Sequence, residues 1–201
     1  MTEEEWLHCD WPNEMVYFIR HRASERKKRL IGCACCRRLW PLLPDGYKAR
    51  VELGEAVADG VATDQARMDA VLAINGDDPL TLAVTTALMY SGYDAADAWC
   101  FAADAVGAEQ RDGELLAQTS ILRDLFGNPF RPVLFSPHWR TAIAVSLAQR
   151  MYESRDYAAM PLLGDALQGA GCNDDDVLNH CRGTGPHIRG CWVVDAVLGK
   201  E

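Results

Sequence analysis

The sequence predicts an all-α protein, a compact single domain over residues 1–201 that closes on a C-terminal helical hairpin. Three observations predict it. Apolar residues recur at helical spacing along most of the chain, a capping residue or a proline precedes most such runs, and no segment alternates apolar and polar residues long enough to make a strand. With 201 residues, 49% of them hydrophobic, the chain can bury one good core.

Thr2 and Glu5 make a capping box for a first short helix, and Pro12 with Asn13 restarts a second carrying Met15, Phe18 and Ile19. Ser24 caps a third, which opens on Arg26, Lys27, Lys28 and Arg29, runs almost without polar side chains from Leu30 to Cys36, and closes on Arg37 and Arg38. A helix apolar on all sides in its middle belongs at the centre of a fold, and Cys33, Cys35 and Cys36 read there as core residues. The basic run from Arg20 to Arg29 reads as a solvated face balanced by acids such as Glu25.

From Asp45 a helix runs to about Ala58, and Thr63 starts another that ends at the Asn75–Gly76 turn. Pro79 opens an apolar segment with Leu82, Leu88 and Met89. Ser91 and Gly92 interrupt it, and Asp94 caps a second piece with Trp99, Cys100 and Phe101. The helix from Glu109 to Phe126 offers Leu115, Leu116, Ile121, Leu122 and Leu125 to the core. Residues 127–135, GNPFRPVLF, hold two prolines and read as an extended connection lying over the helices. Ser136 and Pro137 restart a helix whose Trp139, Ile143, Leu147 and Met151 are spaced by fours, and a further one follows Met160 and Pro161.

The chain then concentrates its chemistry. Between Cys172 and Lys200 stand three cysteines, two histidines, two arginines, three consecutive aspartates and a glycine-rich turn. Asn173 with Asp176 would cap one helix, which stops at Gly183 in the left-handed conformation. Pro186 would open the next, with Cys191, Val194, Val197 and Leu198 on its buried side.

The motifs SERKKRLIGCACCRRLW, ILRDLFGNPFRPV and NHCRGTGPHIRGCWVVDAVLGKE resemble those of an uncharacterised family of helical proteins from planctomycete bacteria, over nearly the whole chain. The resemblance implies a bacterial, intracellular, all-helical protein. It carries no activity, cofactor or catalytic residue over to this chain. Thr184 stands where the family motif has proline, which leaves the turn intact.

Several functions are disfavoured. A formal net charge of −9 opposes nonspecific binding to nucleic acid and to anionic membrane, which both need a positive surface. MTEEEWLHCDW lacks the pattern of a secretory signal, so the expected location is the cytoplasm, where the eight cysteines stay reduced. The loop after Cys181 fails as a cysteine-phosphatase loop, because the sixth residue on is His187 rather than arginine. GTGPHIRG has Ile188 where a dinucleotide fingerprint needs its third glycine. A helix-turn-helix would put Cys191, Trp192, Val193 and Val194 into a DNA groove.

Two chemistries survive for the terminal stretch. Cys172, His180, Cys181, His187 and Cys191 form a mixed Cys/His set suited to zinc, with His187 and Cys191 four apart on one face of the last helix. Against it stands the plainer reading of buried thiols and surface histidines. Arg123, Asn128, Arg131, Arg182 and Arg189, set beside turns, could form an anion or interaction surface. The plainer alternative has them binding carbonyls at helix ends. With no nucleophile, carboxylate pair or cofactor loop in sight, the sequence reads as a non-catalytic binding or interaction module whose partner is expected to be a protein. A zinc-stabilised or anion-binding domain is the alternative, and zinc the cofactor it would take.

Overall fold

The computed structural model describes residues 1–89 and 98–200; the expected break at Ser91 and Gly92 and the cap at Asp94 lie outside them. The protein is all-α. Twelve α-helices and one 3-10 turn occur among the described residues, with no strand. The chain divides into two compact units, Met1–Leu122 and Arg123–Glu201. No described helix is long and apolar enough to cross a membrane.

The first unit holds α1 (Glu3–His8), α2 (Pro12–Ile19), α3 (Glu25–Arg38), α4 (Asp45–Ala58), α5 (Asp64–Leu72), α6 (Pro79–Ala87), α7 (Ala98–Ala105) and most of α8 (Ala108–Phe126). The capping box at α1 is present in both directions: the Glu5 N–H donates to Thr2 Oγ1 at 3.2 Å and the Thr2 N–H to Glu5 Oε2 at 2.6 Å. Ser24 caps α3 by accepting from the Lys27 N–H. As its apolar middle requires, α3 is central, packing against α4, α6 and α7 with Leu30 to Cys36 buried.

The basic entry to α3 departs from expectation. Lys28 and Arg29 are buried rather than solvated, because their long stems can lie along apolar surface while the charged ends find partners. Lys28 Nζ meets Glu25 at 2.7 Å, and Arg29 donates to the Met89 carbonyl at 3.0 Å. On α8, Leu115, Ile121, Leu122 and Leu125 are buried as read, but Leu116 is half exposed. At about 100° per residue, Leu116 points away from the face that the other four share.

The second unit is a ring of four short helices. They are α9 (Ala142–Ser154), α10 (Met160–Gly169), α11 (Asp175–Arg182) and α12 (Trp192–Leu198); α9 packs on α10, α10 on α11, α11 on α12 and α12 on α9. Thr141 caps α9 after a single 3-10 turn at Pro137–Trp139. Its buried stripe is Ala144, Ala148, Met151 and Tyr152, whereas Ile143 is exposed, so the spacing by fours named the neighbouring face. Small residues on the stripe let α9 approach its partners closely. Residues 127–135 form an extended connection as predicted, with Val133 and Phe135 laid against the core and Leu134 turned to solvent.

The helix boundaries of the terminal stretch also shift. Asp174, not Asn173, caps α11 by accepting from the Val177 N–H at 3.1 Å, and Gly183 is extended rather than left-handed. The last helix begins only at Trp192. Gly185 and Gly190 have φ of +83° and +94°, which a helix cannot contain, and the Cys191 N–H turns back to the Ile188 carbonyl. His187 therefore lies in a loop, not one helical turn from Cys191.

Close packing in this ring makes one position sensitive. A Cβ built at Gly164 of α10 would stand 2.9 Å from the Cys181 Cβ on α11, a contact that only backbone movement relieves. Gly164→Ala is expected to cost about 1–3 kcal/mol through overpacking. Urea unfolding of the variant checks it: the midpoint should drop with little change in slope.

Candidate metal centre

Four side chains from three segments of the second unit converge on one point. Asp124 comes from the last turn of α8, His180 from the last turn of α11, and His187 and Cys191 from the loop between α11 and α12. One donor atom from each lies within 4.8 Å of the other three. His187 Nδ1 is 2.9 Å and His180 Nε2 3.2 Å from the same carboxylate oxygen, Asp124 Oδ1, and Cys191 Sγ is 3.1 Å from His180 Nε2.

The sequence explains why these groups meet. On α8, Asp124 shares a face with Ile121 and Leu125, so the helix drives its carboxylate inward with the leucines. Its second oxygen, Oδ2, accepts the Ile188 N–H at 2.9 Å, which leaves Oδ1 aimed at the two rings. The loop needs its left-handed glycines to fold His187 back over α8. Trp192 then backs the site. Its ring lies 5.2 Å from that of His180, and a Cβ at Gly127, where φ is +60°, would stand only 3.1 Å from the indole.

Burial makes the cluster costly unless it is charge-balanced. The side chains of Asp124 and His187 are 2% and 8% exposed, and Cys191 is fully buried. Burial by itself pushes the Asp124 carboxyl up, but hydrogen bonds and positive charge from His180 and His187 outweigh it and hold the carboxyl below the usual range. The expectation of surface histidines is thus corrected, because both rings are drawn inward by a buried carboxylate.

The arrangement is not a catalytic triad. A Cys–His–Asp relay needs the thiol and the carboxylate on opposite ring nitrogens, whereas here both meet Nε2 of His180. One proton on that nitrogen would have to be shared between oxygen and sulfur. A cation at the centre meets all four lone pairs at once. Donor atoms around a tetrahedral ion of zinc size stand about 3.3–3.7 Å apart. The three short contacts here, 2.9–3.2 Å, are hydrogen-bond distances that would open by a few tenths of an ångström around an ion, within a set that spans no more than 4.8 Å. This buried Asp/His/His/Cys group could hold a metal ion.

The other predicted residues lie elsewhere. Cys172 and Cys181 are in the apolar core of the unit, where burial pushes the Cys181 thiol up to about 12, too high for a ready thiolate. Arg182 pairs with Asp165 at 3.1 Å and donates to Gln168 on α10. Arg189 lies 4.3 Å over the Tyr152 ring and donates to the Tyr152 carbonyl at 3.5 Å. Asn128 accepts from the Phe130 N–H in the turn after α8, which Arg123 and Arg131 flank, the latter exposed. Arg140, which sequence reasoning did not name, donates to the Ala196 carbonyl in the last turn of α12.

Asp124 was the ligand least visible in the sequence. Its signal was an ionisable residue in register with a buried leucine face. No family model, curated protein or solved structure matches the chain. The donor set and its geometry therefore carry the functional reading alone.

Proposed function

We propose that the second unit is a zinc-binding module in which Asp124, His180, His187 and Cys191 hold one ion, and that the ion clasps the loop 183–191 to α8 and α11. The observation that supports this reading is the convergence of two imidazole nitrogens on one carboxylate oxygen, with a buried thiol against one of them. A set of two nitrogens, one sulfur and one oxygen suits zinc better than the oxygen-preferring calcium or magnesium. Four protein donors are the pattern of a structural site, which fits a binding or interaction module better than an enzyme. A zinc held this way supplies folding energy to a small helical ring.

The test is elemental analysis of untagged protein purified without chelator, with Cys191→Ser and His187→Ala in parallel. The expected result is about one zinc per chain, with affinity at least tenfold lower in each variant. Wild-type protein that stays metal-free after dialysis against buffered zinc would remove the proposal.

A further inference from the structure

A cleft of about 760 Å³ opens on the first unit beside α1 and α2, within the size range of small-molecule sites. Its α2 wall carries two lines of side chains, each a helical turn from the next: Glu14, Phe18 and Arg22 on one, Asn13 and Tyr17 on the other. The helical turn carries past Ile19, since the Ala23 N–H donates to the Ile19 carbonyl. The middle of the wall is firm, because the half-buried Phe18 ring packs 6.1 Å from that of the fully buried Trp6.

Opposite charges stand at the two ends of the first line, and neither is neutralised by the protein. The Arg22 guanidinium lies 4.1 Å over the Phe18 ring and gives one N–H to the Phe18 carbonyl at 3.0 Å, but it forms no ion pair among the described residues. Stacking and that single bond hold the planar fork in place and leave its other N–H groups for a carboxylate. Glu14 is exposed and meets only the Cys9 thiol, 3.9 Å from Oε2, with no cation in reach among the described residues. Glu5 of α1, the other acid lining the cleft, is taken by its capping box. On the second line, the Asn13 amide and the Tyr17 hydroxyl have no hydrogen-bond partner among the described residues.

We propose that this cleft binds a short peptide with both termini free, its carboxylate on Arg22, its ammonium on Glu14 and a main-chain amide against Asn13. The spacing selects the class. Glu14 and Arg22 are two helical turns apart, and the guanidinium leans back one turn over Phe18, so roughly 5–11 Å separates the two charges. An extended peptide spans about 3.3–3.6 Å per residue, so two or three residues bridge that gap, whereas both charges of a free amino acid sit on one carbon. Asn13 offers the donor and the acceptor that a peptide group needs. The proposal is independent of the zinc reading, since every metal donor lies in the second unit.

Titration of the full, isotope-labelled chain with trialanine at low salt, followed by amide NMR, tests it. The expected result is saturable shifts concentrated in α1, α2 and the turn that follows, with free alanine giving none. Trialanine amide and N-acetyl-trialanine, which each lack one terminal charge, should bind about tenfold more weakly, the loss of one charge-assisted hydrogen bond. Two variants assign the ends. Arg22→Gln should bind trialanine and its amide equally, and Glu14→Gln should bind trialanine and its acetyl form equally. Both side chains are exposed, so amide signals away from the cleft should stay those of the wild type and confirm the fold. No shift at a large excess of trialanine, shifts spread over the whole surface, or end preferences unchanged in the two variants would overturn the proposal.

Discussion

Zinc added to the metal-free protein should raise its stability by about 4 kcal/mol once free zinc stands a thousandfold above its dissociation constant, because only the folded chain presents the four donors together. Calorimetric unfolding with and without a chelator measures this. Asp124→Ala should abolish the zinc effect: it removes the oxygen on which both histidines converge and strands the Ile188 N–H. Acid should reveal the same residue in the metal-free protein. The Asp124 carboxyl is held below its usual range in the fold, so the unfolded chain takes up its proton more readily. Its contribution is full above the ordinary carboxylate value of about 4 and is lost as pH falls through the lower folded value. Wild type should therefore lose stability over that acidic interval more steeply than Asp124→Ala.

Trp6→Ala should destabilise the first unit by about 3–5 kcal/mol, the usual cost of emptying a tryptophan site. Trp6 is fully buried although it sits on the short helix α1, and its ring lies 6.1 Å from that of Phe18 on α2. Helices this short have little stability of their own, so α1 and α2 depend on that contact. Denaturant unfolding should show the loss. Zinc content should not change, since every donor follows Leu122.

The helices were legible where local chemistry decides them. Thr2, Ser24 and Thr63 announced their helices by capping, and the apolar middle of α3 announced its central place. Boundaries failed where several cap residues stood in a row, as at Asn173 and Asp174, and where glycines at 185 and 190 bent a segment whose composition suits a helix. For the centre, His180, His187 and Cys191 stood among the predicted metal ligands because they crowd one stretch of chain. Cys172 and Cys181 shared that crowding, but both are buried in the apolar core of the unit, Cys181 by its register on α11 and Cys172 from the connection that precedes that helix. Asp124 could not be paired with His187, sixty-three residues away, from spacing alone. The contact depends on how the loop after α11 folds back, which only tertiary packing fixes.

X-ray absorption at the zinc edge of the purified protein tests the central claim most directly, because it counts donors by element and distance. The prediction is one sulfur at about 2.3 Å and three or four nitrogen or oxygen donors at about 2.0–2.2 Å, with the sulfur lost in Cys191→Ser. A zinc shell without sulfur, or one with two or more sulfurs, would contradict the assignment of Asp124, His180, His187 and Cys191 as the donor set.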